Sequence, residues 1–236
     1  MPLNEEYQGI HTQINKKPKE RNSMEFPEFH LNRILLKEIT LKDSKAYFNI
    51  MKLDAVTQFY GMESLKTEEE AAALIQSLAE LYEANRAIRF GIFLKETNEF
   101  IGTAGLNNLQ LKNKRAEIGY ELHPDYWRKG YTSEAVKAIL QYAFSDLDLY
   151  RIGAVTFPEN NASQSLLIRL GFQQEGLLRG YLYQHNRSND ALIFSLLQPE
   201  WKKIIKWNQD KWSCKNHAIR SLFSSNTLIS KQHKAE

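Results

Sequence analysis

Residues Ala116 to Val136 read AEIGYELHPDYWRKGYTSEAV, and the change of period inside this stretch decides the fold. From Arg115 to His123, Ile118, Tyr120 and Leu122 alternate with Glu117, Gly119 and Glu121, the two-residue repeat of a half-buried strand. Pro124 blocks its continuation. A short basic turn, Arg128-Lys129-Gly130, then feeds a helix over Thr132 to Phe144 with Ala135, Ile139, Tyr142 and Ala143 on one face. The first N–H groups of a helix lack intrahelical acceptors and lie at the positive end of its dipole. Gly130 permits a positive φ or a close approach, and Arg128 and Lys129 add charge suited to phosphates. The turn therefore has the makings of an anion site. It is equally compatible with an ordinary strand-to-helix connection carrying exposed basic side chains.

On the N-terminal side, Arg33 to Ile39 (RILLKEI) reads as a first strand. Thr40 with Asp43 resembles a capping box and opens a helix through about Leu53; Thr67 with Glu70 gives a second. Glu68, Glu69 and Glu70 suit the positive end of that second helix, whose Ala71, Leu74, Ile75, Leu78 and Leu81 form an apolar face. Ile88 to Lys95 and Phe100 to Leu109 flank a polar turn and read as a hairpin. On the C-terminal side come a strand over Ile152 to Phe157, a helix over Ala162 to Leu170 stopped by Gly171, and a strand over Ala191 to Leu197. This order predicts an α/β fold with a mixed sheet rather than a regular doubly wound one.

Composition narrows the class. The 236 residues are 42% hydrophobic and 25% charged, with a formal net charge of +3. No apolar run approaches the ~20 residues of a membrane span, and the first residues lack the apolar core of a signal peptide. A lone cysteine, Cys214, excludes an internal disulfide framework and a cysteine-rich zinc site, and His30, His123 and His185 are scattered. A cytoplasmic protein without a metal is expected. The charge divides unevenly: residues 1–23 carry net +1, residues 24–199 net −3 and residues 200–236 net +5. Residues 1–23 show no period and read as a flexible arm, with Met24 offering a second start. Trp201, Trp207 and Trp212 among lysines suggest a helix docked on the body; basic–aromatic interleaving also suits nucleic acid. Neither G-x-x-x-x-G-K-[ST] nor G-x-G-x-x-G occurs, which disfavours a nucleotide triphosphatase or a dinucleotide-dependent dehydrogenase.

Three segments in register resemble the GNAT superfamily of acyl-CoA-dependent N-acetyltransferases, and within it the RimJ/RimL branch that includes the ribosomal-protein-alanine N-acetyltransferases. They are the strand and loop quoted above, ENNASQSLLIRLGF (Glu159 to Phe172) and QQEGLLRGYLYQHNRSNDALIFSLLQPEW (Gln173 to Trp201). The resemblance covers about residues 26–205 and implies an acetyltransferase domain over 24–205, with residues 206–236 a basic extension. It also implies a mixed, mostly antiparallel, twisted sheet of about seven strands flanked by helices, with a V-shaped cleft between strands 115–123 and 152–157. Two departures stand out. Trp127 and Thr132 occupy the outer positions of the usual [QR]-x-x-G-x-[GA] loop, and Leu167 stands where some members carry a general-acid tyrosine.

The resemblance further implies acetyl-CoA as cosubstrate. Its pyrophosphate would lie on the amides of Arg128, Lys129, Gly130, Tyr131, Thr132 and Ser133, and its pantetheine along the backbone of Leu122 and His123. Glu117 is the implied base. It could instead be a sheet residue paired with Arg115 or Lys114, and Glu121 is an alternative on the same face. Asn160 would bond the pantetheine and Ser163 protonate the thiolate, although Asn160-Asn161-Ala162-Ser163 also fits a helix cap. Tyr181 and Tyr183 could line an acceptor site or simply pack, and Asp190 fits a turn better than a site. The expected reaction is acetyl transfer to a primary amine, foremost the N-terminal α-amine of a protein such as a ribosomal protein. That amine has a pKa near 8 and is more easily neutralised than a lysine. The alternatives are a small amine acceptor (a polyamine, amino acid or antibiotic) and a noncatalytic acyl-CoA-binding module. Ribosome association and an oligomer are compatible with each.

Overall fold

The computed structural model describes residues 26–207. The expected arm, Trp212, Cys214 and the basic tail from 208 onward lie outside the described residues. Eight strands form one sheet: β1 (Phe29–His30), β2 (Ile34–Glu38), β3 (Ile88–Leu94), β4 (Phe100–Gln110), β5 (Arg115–Leu122), β6 (Arg151–Thr156), β7 (Gln173–Gln184) and β8 (Arg187–Leu197). Their spatial order is β1-β2-β3-β4-β5-β6-β8-β7. Every neighbouring pair is antiparallel except β5–β6. The mixed, mostly antiparallel sheet expected from the sequence is what forms. The additional strand is β1, too short at two residues to show any period.

Two apolar clusters sandwich the sheet. One face packs on α4 (Tyr131–Ser145), whose Ala135, Val136, Ile139 and Ala143 meet Ile118 and Leu122 of β5. The other packs on α1 (Ser44–Met51) and α3 (Glu68–Glu83), with Tyr47, Ile50 and Met51 against Ile75, Phe93 and Phe100. The helix expected through Leu53 is broken. A 3-10 turn over Leu41–Asp43 precedes α1, and Leu53, extended at ψ 116°, separates it from the single turn α2 (Asp54–Thr57). At the start of α3, the Thr67 hydroxyl accepts the Glu70 N–H, and the Glu70 carboxylate accepts from Lys66, one residue before the capping-box position. The β7–β8 hairpin turns on His185 and Asn186, both at positive φ, a two-residue turn matched to strand twist. Residues 198–207 are helical. The expected docking is seen at Trp201, which is buried, donates its indole N–H to Gln141 at 3.2 Å and leans on Phe144.

Candidate functional site: the cleft where two parallel strands part

Among the described residues, the only parallel pairing is also the one that fails. β5 and β6 are in register at Arg115–Arg151, Ala116–Ile152 and Glu117–Gly153, and no further. β6 stays zipped to β8 along its whole length, Arg151 to Thr156, so it follows β8 and leaves β5 alone from Ile118 onward. A cavity of about 720 Å³ fills this opening, a volume suited to a small-molecule ligand. Two elements beyond the sheet wall it: α5 (Asn161–Arg169) and the loop after α2, whose Phe59 ring lies tilted 5.8 Å from that of Phe157. Gln184 at the hairpin tip fixes that loop by donating to the Thr57 and Met62 carbonyls, each at 2.8 Å, and accepting the Gly61 N–H.

The turn between β5 and α4 forms one end of the cavity. Arg128 sits at φ +59° and Gly130 at φ +86°, two left-handed residues that fold the chain back onto the helix start. The first bond of α4 runs from the Glu134 N–H to the Gly130 carbonyl, so the N–H groups of Tyr131, Thr132 and Ser133 stand outside the helical ladder. Arg33 braces the turn from the β1–β2 connection. Its backbone N–H and Nε each reach the Glu134 carboxylate at 2.9 Å, Nη1 donates to the Lys129 carbonyl at 2.8 Å, and the guanidinium lies 4.7 Å from the Tyr131 ring. A Cβ on Gly130 would come 3.2 Å from Arg33 Nη2.

Of the residues expected around the anion, Arg128, Gly130, Thr132 and Ser133 line the cavity, as does Leu122, expected along the pantetheine. The side chains of Lys129 and Tyr131 do not; Lys129 lies 5.4 Å from the Tyr126 ring, and Tyr131 packs under Arg33. Leu122 and His123 point opposite ways. His123 donates its N–H to Ile101 on β4 and its carbonyl accepts from Tyr126, so alternation turns the Leu122 backbone toward the cleft. There the Leu122 carbonyl accepts the Trp127 indole N–H at 2.7 Å. The Leu122 carbonyl is thus engaged by Trp127, and the His123 backbone by β4 and Tyr126.

At the apex of the opening, Asn160 caps α5 by accepting the Ser163 N–H at 3.1 Å, and both residues also line the cavity. The cap and the cavity wall are therefore the same feature. The Ser163 hydroxyl lies 2.8 Å from that of Tyr120 on β5. Burial pushes the Tyr120 hydroxyl up to about 12, with the Ser163 bond pulling it down, so the pair stays protonated at neutral pH. Leu167 is 1% exposed in the core, and the departure noted at that position has a simple reason: the helix turns it away from the cavity. Glu117 sits at the last paired position, bonded to Asn108 at 2.9 Å and beside Gly153, outside the cavity lining.

The other face of β5 holds a buried charge cluster. Glu121 accepts from the hydroxyls of Tyr47, at 3.3 Å, and Thr103, while Arg89 Nη1 stands 3.5 Å from its Oε2. Arg89 Nη2 reaches the Tyr60 hydroxyl at 3.3 Å. Burial raises both tyrosine hydroxyls, keeping them as donors. Glu121 and Tyr60 line the cavity. Among the described residues, no group of three or more His, Cys, Asp and Glu could hold a metal, and no helix is long and apolar enough to cross a membrane.

A family model described as an acetyltransferase (GNAT) domain matches residues 33–173, from the Arg33 brace to the first residue of β7. This chain belongs to the GNAT acetyltransferase family. It is similar to the uncharacterized N-acetyltransferase YoaA of Bacillus subtilis, 44% identical over 174 residues that cover 74% of this chain and 98% of that protein. The [ribosomal protein uS5]-alanine N-acetyltransferase of Escherichia coli is 31% identical over 130 residues, 55% of this chain and 67% of that one. The solved structure of Mycobacterium smegmatis RimJ in complex with CoA-disulfide matches with a TM-score of 0.63 at 25% identity, covering 70% and 81% of the two chains. The GNAT chain described here is accordingly an acyltransferase of the RimJ/RimL-like kind. Three features of this member escaped the sequence reading: Tyr120 as partner of Ser163, Arg169 on the cavity wall, and the Arg89–Glu121 cluster. Tyr120 and Glu121 had a local signal in their place on the motif strand, and Arg169 in the quoted Glu159–Phe172 segment; Arg89 had none.

Proposed function

We propose that this chain moves the acetyl group of acetyl-CoA to a primary amine, foremost the N-terminal α-amine of a protein such as a ribosomal protein, in the cytoplasm. The observation that carries the proposal is one continuous cavity joining a loop of unpaired helix amides to a protonated hydroxyl pair at the point where the strands part. The donor's features match this cavity. A diphosphate suits the first N–H groups of α4 with Arg128 beside them, and Gly130 keeps the backbone approachable where a Cβ would crowd Arg33. Arg169 offers a further cation on the wall. Asn160 and the cleft-facing backbone of Leu122 suit the amide groups of a pantetheine arm.

The chain's own groups supply the remaining steps. Ser163, backed by Tyr120, donates toward the leaving thiolate, and a carboxylate of β5 relieves the acceptor of its proton; the resemblance implies Glu117, while Glu121 is the one that lines the cavity. Alignment of two bound substrates in the opening adds the proximity contribution. The name of the uS5-alanine relative supports a protein N-terminus, and the CoA-bound RimJ relative supports the donor. The test offers acetyl-CoA and a library of N-terminal peptides to the purified protein and follows free thiol. Turnover with peptides beginning in small residues is expected. Turnover confined to polyamines, free amino acids or antibiotics would move the acceptor to the small-amine class, and CoA binding without any turnover would make the chain a binding module.

A further inference from the structure

Tyr120 and Glu121 are consecutive on β5 and so face opposite sides of the sheet. Ordinarily a sheet separates such neighbours completely. Here the cavity reaches both, because β6 has already left. On one side lies the hydroxyl pair of Tyr120 and Ser163; on the other lies the carboxylate of Glu121. Glu121 is 5% exposed and Arg89 8%, yet three of their polar atoms, Glu121 Oε2 and Arg89 Nε and Nη1, have no hydrogen-bond partner. Gly119 lies against the cluster: a Cβ there would meet Asn107 Nδ2 at 2.8 Å and would be in ordinary contact, 3.4 Å, with both terminal nitrogens of Arg89.

Such a pair is poorly explained by stability. A buried ion pair is often no better than apolar residues of the same volume, and each buried atom left unbonded adds a desolvation cost of about 1–3 kcal/mol. We propose that Glu121 is the subsite for the acceptor amine, with Oε2 taking a hydrogen bond from the incoming nitrogen. Resting on the acetyl-transfer reading above, the inference names the ligand class: a primary amine, cationic in water, on a chain slim enough to pass Phe59 and Tyr60. Arg89 is the positioning residue. It offsets the buried carboxylate's charge, while Tyr47 and Thr103 hold Oε1 so that Oε2 is left for the ligand. Glu117, four residues earlier and still under the zipped strands, lacks this access.

The experiment uses the full chain and has two arms. In the first, a good peptide acceptor and its des-amino analogue compete for the acetyl-CoA-loaded wild-type protein. The amine should bind at least about tenfold more tightly, the worth of one charge-assisted hydrogen bond. In the second, Arg89→Leu and Glu121→Leu are combined, and the double variant is compared with the wild type after circular dichroism shows that it is folded. The acceptor KM should rise at least about tenfold while the acetyl-CoA KM holds. Equal binding of amine and des-amino analogue overturns the inference, as does a folded double variant with an unchanged acceptor KM. So does a loss of acceptor affinity that follows Glu117→Gln and not Glu121→Gln. Should the wild type bind no acetyl-CoA, the parent reading fails instead, and the donor titration distinguishes that outcome.

Discussion

The β5–α4 turn and the Arg89–Glu121 cluster are both charge-binding devices, built in opposite ways. The turn uses seven consecutive residues, Arg128 to Glu134, and works through backbone amides at the cavity edge. The cluster draws Tyr47, Tyr60, Arg89, Thr103 and Glu121 from α1, the loop after α2, β3, β4 and β5, and works through side chains in the interior. A backbone device tolerates changes of side chain but not of conformation. A side-chain device has the reverse sensitivity. Salt should screen the first strongly and the second hardly at all.

Gly130 gives the sharpest break between the two. Valine there is strained at φ +86° and its Cβ meets Arg33, so the loop must reshape. Acetyl-CoA affinity should fall by roughly 10–100-fold, the equivalent of 1–3 kcal/mol of backbone strain, while the acceptor KM changes little. Calorimetric titration checks this, and an unchanged donor affinity would mean that the loop is not an anion site.

Next in size is Arg33, where the backbone device borrows a side chain. Its bonds to Glu134 and to the Lys129 carbonyl fix the loop, and its charge offsets an acid buried in the first turn of α4, where a diphosphate would otherwise meet it. Arg33→Ala should lower kcat/KM for acetyl-CoA about tenfold. S-acetylpantetheine, which lacks the diphosphate, should suffer far less. Equal losses with both donors would reduce Arg33 to a general stabiliser.

The same contrast explains what the sequence could reveal. The turn is local: Pro124 ends a strand, Gly130 opens a helix, and the spacing between them survives into the structure without change. Glu117 and Glu121 share a face by period two, so the sequence alone cannot rank them. Their difference depends on where β6 departs, and that is decided by β8, whose residues Leu192 to Leu197 hold β6 to its end. Asn160 was legible as either cap or ligand because it is a cap that also lines the cavity. Leu167 looked like a lost acid because helical phase cannot be assigned to a core before the core is seen. Arg89 had no signal at all; a single arginine in the apolar run IRFGIFL acquires meaning only through Glu121, two strands away in the sheet.

Tyr120 lies between the two devices, and its removal should cost less. Phenylalanine keeps the ring but takes away the hydroxyl that orients Ser163, so kcat should fall about fivefold, the worth of one neutral hydrogen bond. The pH dependence carries the sign. With its hydroxyl pushed up to about 12 by burial, Tyr120 holds its proton throughout pH 6–10. The ratio of wild-type to Tyr120→Phe rates should therefore stay constant across that range. A ratio that shrinks toward one as pH rises through 8 or 9 would show a tyrosine that ionises early.

The smallest effect tests whether the turn keeps a strained residue for its charge. Arg128 adopts φ +59°, which costs a non-glycine residue about 1–2 kcal/mol, and its guanidinium has no partner among the described residues. Nothing among the described residues repays that strain, but the side chain lines the cavity beside the helix amides. Arg128→Gly removes the strain and adds unfolded-state entropy of about 0.4–1 kcal/mol, leaving a net stabilisation of about 0.5 kcal/mol. Acetyl-CoA affinity should meanwhile weaken a few-fold and lose part of its salt dependence. Opposite signs in thermal melting and donor titration would mark Arg128 as held for the ligand; a loss in both would mean that the guanidinium stabilises the loop itself.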